Sequence, residues 1–391
     1  MNYILSDGHY RDAMLPFTFT RPIADIRIGI LTIREKWERY LSTEVTTMSS
    51  AYLSEKFPLK TAAENVVINA PFLPSQDLVE KIHALRLGEA LVTEGEIIAY
   101  CTENPEAAFS LSSYRSIAFK NAVVTVKNPW DIFSKNGKVL QADFELLTRG
   151  RESHPISSTN TVIAPEHIFI EEGATVACSI LNASTGPIYI GKGAEIMEGC
   201  VIRGGLALCD HAILKMGAKI YGPSTFGPHC RIGGEVNNTV AFGYSNKGHE
   251  GFLGNSVLGE WCNLGADTNT SNMKNNYAEV RLWSYGTEGF ARTGLQFCGL
   301  MMGDHSKCGI NTMFNTGTVV GVSANIFGSG YPRNFIPSFS WGGASGFTSY
   351  LPKRALETAK TMMARRGLVL DSKERAILEE VYELTKKWRR T

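Results

Sequence analysis

Proton transfer near neutral pH calls for an imidazole, and the stretch Tyr244–Gly254, YSNKGHEGFLG, presents His249 among glycines. The same region of the chain carries a carboxylate, amides and ammonium groups: Glu235, Asn263, Asn272, Lys215, Lys247 and Lys274. The residues alone leave two readings of His249, a catalytic base or a loop residue that happens to be imidazole. No cysteine accompanies His249 in its stretch, so direct attack is expected instead of a covalent enzyme intermediate.

Other chemistries are poorly supplied. The eight cysteines (101, 178, 200, 209, 230, 262, 298 and 308) form no Cys-x-x-Cys pair, which argues against a zinc site or a disulfide framework. Lys and Arg number 39 against 38 Asp and Glu, a net charge of +1. No global field therefore draws the protein to nucleic acid or to an anionic membrane, and an anionic ligand must be held by local groups. The opening MNYILSDGHY lacks a basic region followed by an apolar run, and no segment reaches the roughly 18 apolar residues of a membrane span, so a cytoplasmic location is expected.

A repeat must position these residues. From Ile190 the chain reads IGKGAE IMEGCV IRGGLA LCDHAI LKMGAK IYGPST FGPHCR IGGEVN, with Ile190, Ile196, Ile202, Leu208, Leu214, Ile220, Phe226 and Ile232 in step. The step returns at Phe252, Leu258 and Leu264 and again at Met302, Cys308, Phe314, Val320 and Ile326, and is visible upstream at Ile170 and Val176. A period of six suits neither a helix nor simple alternation; it matches a hexapeptide parallel β-helix, three short strands per coil with the apolar residue inward. Hexapeptide proteins wind left-handed, and that handedness is expected here. Between Ile232 and Phe252, and between Leu264 and Met302, the step lapses, which predicts external loops, the first carrying His249.

Three domains follow. Residues 1–150 alternate strand and helix patterns (NYILSD, NVVINA, PSQDLVEKIHALRL, ALVTEGEIIAYC), predicting a small α/β domain with a mostly parallel sheet. Residues 151–345 are the β-helix, entered through LLTRGRESHPISSTNTVIAPEH. Residues 346–391 hold two helices, one opening at Pro352 and ending before Gly367, the other capped by Asp371 or Ser372; they are expected to cover the solenoid's open end.

Gly248-His249, Leu253-Gly254, Asn263-Leu264-Gly265-Ala266, Thr268 or Thr270, and Asn272 together resemble the acetyltransferase half of the bifunctional N-acetylglucosamine-1-phosphate uridylyltransferase/glucosamine-1-phosphate acetyltransferases (GlmU). The chain is most similar to their divergent branch of putative sugar nucleotidyltransferases. The resemblance implies His249 as general base for acetyl transfer from acetyl-CoA to an amino sugar, Glu235 orienting the site and Asn272 stabilising the oxyanion. It implies Lys215 at the sugar phosphate, with Asn263, Lys247 and Lys274 also binding substrate, and Ala266 and Thr293 at acetyl-CoA. The family has a second phosphate-contacting lysine shortly after the glutamate, where this chain has Asn237 and Asn238, so either the acceptor differs from glucosamine-1-phosphate or Lys247 or Lys274 supplies the charge from a loop. At the N-terminus Leu5, Gly8, Arg11, Leu15, Pro16, Thr18 and Pro22 resemble the nucleotidyltransferase opening, implying nucleotide contacts from Gly8, Arg11 and Arg21. The pattern's second glycine and lysine are missing. The spacing demands no metal ligand; magnesium would fall to Asp7, Asp25 or Asp131, since Asn69 and Ala70 stand where the family's metal-binding Asp belongs. The resemblance further implies a homotrimer with acetyl-CoA between neighbouring β-helices, working on cell-wall precursors. Alternatives are an active sugar-1-phosphate nucleotidyltransferase and a non-catalytic nucleotide-sugar scaffold. A zinc carbonic anhydrase on the same solenoid is disfavoured, because His9, His83, His154, His167, His211, His229, His249 and His305 contain no His-x4-His pair.

Overall fold

Short buried strands and amphipathic helices at the start of the chain form a six-stranded sheet in a computed structural model that describes residues 1–389. Strands β1 (Asn2–Ser6), β2 (Thr46–Met48) and β3 (Asn65–Asn69) run parallel; β4 (Glu89–Thr93) and β5 (Glu96–Thr102) form a hairpin, and β6 (Arg115–Ala118) joins β4 in parallel. The order is β2-β1-β3-β5-β4-β6, and β5 turns antiparallel against both β3 and β4, so the sheet is mixed. The tight turn at Glu94-Gly95, both at positive φ, imposes this reversal. Helices α1 (Ile33–Leu41) and α2 (Gln76–His83) pack on it, α1 held at its start by a reciprocal Thr32–Glu35 capping box.

Two compact units result. Met1–Met14, Thr20–Ile26 and Leu31–Asn128 make the first; Leu15–Phe19, Arg27–Ile30 and the chain from Pro129 onward make the second. The second unit begins with α3 (Pro129–Ser134) and α4 (Asn136–Thr148), helices that the hydropathy pattern does not announce. Its body is a parallel β-solenoid. The first solenoid sheet runs from Thr161–Ile163 to Phe252–Gly254 over six strands, the second has nine strands and the third ten, the last of them an antiparallel closing strand.

The inward rows explain the six-residue step. In the third sheet Val176, Ile196, Leu214, Ile232, Lys247, Leu264, Cys308 and Ile326 stack coil on coil. In the second sheet the row is Ile170, Ile190, Leu208, Phe226, Ala241, Leu258, Met302, Val320 and Ile336. These side chains form one continuous core, with the single lysine as its exception.

The first expected loop does not exist. After Ile232 the solenoid continues through Val236, Ala241 and Lys247 to Leu253, with steps shortened to four and then five residues at two corners. The step looks broken because corners lost residues and a lysine took an apolar slot. Its return is also shifted by one: Leu253 is fully buried, whereas Phe252 lies half-buried beside it. The second expected loop is real, an insertion containing the hairpin Arg281–Ser284/Gly289–Arg292.

The C-terminal helices α5 (Pro352–Ala364) and α6 (Ser372–Leu384) take different places. α6 sits at the last coil, with Tyr382 edge-on to Phe339 at 5.2 Å. α5 instead lies along the outer face of the third sheet, where Arg366, just past its end, donates to Asn246 Oδ1 at 3.1 Å. The expectation that both helices cover the open end therefore fails for α5, whose Arg354, Thr358, Thr361 and Met362 face the polar outward row of that sheet across a cavity. Among the described residues no helix is long and apolar enough to cross a membrane.

The shifted register is directly testable. Leu253→Ala should cost about 2–5 kcal/mol in chemical denaturation, as full-burial truncations do, and Phe252→Ala less than half as much. The reverse order would restore the unshifted register.

Candidate functional site

The third-to-first corner of the solenoid is where the histidine stands. Lys215, Gly233, Gly248, Gly265 and Gly309 each follow an inward residue of the third sheet and stack at this corner, joined by coil-to-coil bonds such as Lys215 N–H to Ile232 O (2.7 Å) and Gly233 N–H to Lys247 O (2.6 Å). The corner at Gly233-Gly234 is two residues shorter than those at Leu214 and Lys247. A Cβ on Gly233 would come within 2.7 Å of Gly248 O and 3.2 Å of the Lys215 Cβ, so only glycine lets these layers close. His249 follows with its side chain exposed.

It faces a cavity of about 730 Å³. Lys215, Arg231, Asn246, Asn263 and the backbone from Leu264 to Ala266 line it from the solenoid; Met362, Arg365 and Arg366 line it from α5 and the turn after it. Four cations and no carboxylate face this space, and among the described residues none of the four is in an ion pair. Burial, with nearby Arg231 adding to it, brings Arg366 below the ordinary arginine value. Cations held together without a counter-charge make a site for a multiply charged anion. A second cavity of about 660 Å³ shares Asn263, Met362 and Arg365 with the first and continues beneath α5 past Lys307 to Trp341, Tyr350 and Arg354. The floor of the run is an outward row in register, Arg231, Asn246, Asn263, Lys307 and Asn325, ending at Trp341.

Of the residues expected to act, His249, Lys215, Asn263 and Ala266 come together here. The others do not. Glu235 is on the outer face of the first sheet, accepting from Tyr221 Oη at 2.5 Å. Asn272 donates to Asn255 Oδ1 at 2.8 Å, outside the cavity lining. Lys274 donates to Glu279 O (3.0 Å) and Thr293 to Val280 O (2.8 Å), both fastening the insertion to itself. Lys247 points into the core, 1 % exposed, so it cannot meet a ligand. Sequence reasoning passed over Arg231, Arg365, Arg366 and Asn246. Arg231 was legible as an outward neighbour of an inward isoleucine, but the Arg365-Arg366 pair reads as an ordinary helix end until α5 is laid on the third sheet.

In the first unit the residues expected at nucleotide are engaged locally. Gly8 adopts φ +51°, where a Cβ would meet Asn69 Oδ1 at 3.2 Å. Arg11 donates to Tyr52 Oη at 2.5 Å and lies 3.7 Å from Asp7. Arg21 is buried. Leu15, Pro16 and Thr18 belong to the second unit, where Phe17 packs on Phe242 and Phe19 edge-on to Tyr285, each at 5.2 Å, so this part of the expected phosphate loop is packing material. The candidate magnesium carboxylates each have protein partners: Asp25 is held by Arg34 in a two-point contact (2.9 and 2.8 Å), Asp131 lies 3.1 Å from Lys135, and Asp7 accepts from Ile23 N–H (2.7 Å) and the Ser49 hydroxyl. Among the described residues no group of three or more His, Cys, Asp or Glu fits a metal ion.

With this geometry in place, comparison with known proteins is informative. The family model for sugar nucleotidyl transferases matches residues 3–152. The bifunctional protein GlmU of Synechococcus elongatus is 23% identical over 248 residues, covering 58% of this chain and 50% of that protein. GlmU of Trichodesmium erythraeum is 34% identical over 86 residues, 22% of this chain and 18% of the relative. The chain thus spans about half the length, or less, of the curated relatives it matches.

Asp7 yields a prediction for this unit. Burial raises its pKa from 3.8 to about 6, against the lowering effects of Ser49, Ile23 and Arg11. A raised carboxylate stabilises the fold below its unfolded pKa and loses that contribution as pH rises through about 6. Asp7→Asn should therefore gain on the natural protein by up to about 2–3 kcal/mol between pH 4 and 7, read as the difference of two denaturation series. A difference that is flat across this range would show that Asp7 is ionised throughout.

Proposed function

We propose that this divergent relative of the GlmU proteins, carrying a sugar nucleotidyl transferase family domain over residues 3–152, is a transferase of sugar-nucleotide metabolism whose solenoid N-acetylates an amino sugar with acetyl-CoA. The observation that carries the reading is the meeting of His249 with four uncompensated cations at one cavity. His249 takes the proton as the sugar amine attacks the thioester carbon; the C–N bond forms, the C–S bond breaks, and His249 passes that proton to the sulfur so that coenzyme A leaves as the thiol. Lys215, Arg231, Arg365 and Arg366 hold phosphates, and Asn246 and Asn263 orient the polar chain between them. The elongated run beneath α5 suits a long cosubstrate, its Trp341 and Tyr350 rings (4.8 Å apart, inclined at 43°) offering aromatic faces for a base. The acceptor is an amino sugar carrying a phosphate or a nucleotide. The family match over residues 3–152 favours the nucleotide-linked form, which the first unit would bind.

A homotrimer is part of the proposal. Ile180 (41% exposed) and Val201 (45%) are register partners on the outer face of the first solenoid sheet, with Ile163 (47%) diagonal to Ile180 in the other outward row, a small apolar patch of the kind that subunit contacts cover. Replacing Ile180 and Val201 together by Glu should turn a trimer into a monomer in light scattering; a natural protein already monomeric would remove this part of the reading.

Acetyl-CoA consumption against a panel of amino sugars, their 1-phosphates and their nucleotide conjugates tests the chemistry. His249→Ala should lower kcat by about 10²- to 10⁴-fold with little change in KM. Arg366→Ala should instead raise KM about tenfold or more, as loss of a charge-assisted bond does. Absence of turnover with every acceptor, or an unaltered His249→Ala, would leave the scaffold reading standing.

A further inference from the structure

The lysine inside the solenoid is the feature that the proposed reaction leaves unexplained. Lys247 fills an inward slot between Ile232 and Leu264, in a row otherwise made of Val, Ile, Leu and Cys, and is 1 % exposed. An amine in hydrocarbon surroundings is costly unless its donors are satisfied. Its Nζ donates to Gly233 O at 3.1 Å and to His249 O at 2.6 Å. Those two carbonyls belong to successive layers of the catalytic corner: Gly233 to the shortened turn, His249 to the turn above it. A Cβ at Gly234, whose φ is +70°, would stand 2.8 Å from Nζ and 2.7 Å from His249 O. The shortened glycine corner and the buried lysine therefore require each other. Removing two residues from the turn leaves inward-facing carbonyls, and buried carbonyls need donors.

We infer that Lys247 is a positioning residue for His249: from inside the solenoid its amine ties the Gly233 and His249 carbonyls together and so fixes the backbone from which the imidazole projects into the cavity. An apolar residue at this slot would fill the core as well but could not hold the corner. The charged groups around the amine are Glu250, Asp267 and Lys219, with the Cys308 thiol, and burial outweighs them, bringing the pKa of Lys247 down to about 8. Both protonation states keep at least two N–H donors, so the tie does not depend on the charge.

The inference rests on the reading of His249 as the base, and the experiment separates the two. The full chain carrying Lys247→Met is compared with the natural protein and with Ile202→Ala, a core truncation in the first sheet that destabilises without touching the corner. Amide hydrogen exchange across residues 233–235 and 248–251 should quicken about tenfold or more in Lys247→Met, the equivalent of about 1.4 kcal/mol of lost local bonding, and stay unchanged in Ile202→Ala. With acetyl-CoA and the accepted sugar, kcat should fall about 10- to 100-fold while KM for acetyl-CoA stays within about twofold, the signature of a displaced catalytic group. Should Lys247→Met fail to fold, Gly234→Ala keeps the lysine but sets a methyl against Nζ and should show the same exchange pattern. Unchanged exchange at the corner, or a kcat loss no greater than that of Ile202→Ala, overturns the inference. A natural protein with no acetyl transfer overturns the functional reading instead, and the exchange data still decide whether the lysine holds the corner.

Discussion

Parallel stacking of coils is the constraint on which the rest of the second unit depends. Each sheet admits one inward row, so a residue's place in a coil decides which residues lie above and below it, about 4.8 Å away. A change in corner length cannot be absorbed locally; it moves the following strand or forces a compensating change nearby. The Ile232-to-Lys247 coil takes both courses, with two short corners and a polar residue in the core. The corner that carries His249 is thus a consequence of register. Glycine at 233 and 265 lets consecutive layers approach, and His249 emerges where two layers of unequal length meet.

The same stacking concentrates charge. A chain of net charge +1 has no field of its own to draw an anion, yet four cations converge on one cavity because Lys215 and Arg231 lie in consecutive coils and α5 brings its final turn over them. On the outer face of the second sheet a buried polar network performs the opposite task. Asn136, fully buried, accepts from Gly29 N–H (2.7 Å) and donates to Pro223 O (2.9 Å), while Thr225 Oγ1 donates to Gly29 O (2.9 Å) and Asp143 accepts from Ile30 N–H (2.8 Å). There every donor meets an acceptor, which makes the network a fastening instead of a site.

The fold was more legible than the site. Ile190 to Ile232 announce the solenoid because an inward row tolerates little but bulky apolar residues, and Asp371, Pro352 and the Glu94-Gly95 turn mark ends that local chemistry dictates. Register through 232–253 was hidden, since Phe252 and Leu253 are equally apolar and only coil-to-coil pairing chooses between them. Glu235, Asn272, Lys274 and Thr293 were placed by order along the chain, which says nothing about the direction in which a side chain leaves a corner. Lys247 shows the limit most plainly: a lysine two residues from a histidine reads as a solvent-facing cation, and only the parity of the row turns it inward.

That parity also separates the histidines. His211, His229 and His305 occupy the second-to-third corner at positive φ, interleaved with Tyr244 and Trp261 in one stack of nearly parallel rings 4.3 to 6.3 Å apart. A side chain other than glycine in that backbone region costs roughly 1–2 kcal/mol, and ring stacking offsets part of it. Those imidazoles are spent on the corner. His249 lies at another corner, is absent from the positive-φ set, makes no ring contact within the stack and stands exposed beside the cations. Unlike those three, it presents its imidazole to a cavity, and the proposed general base needs that access.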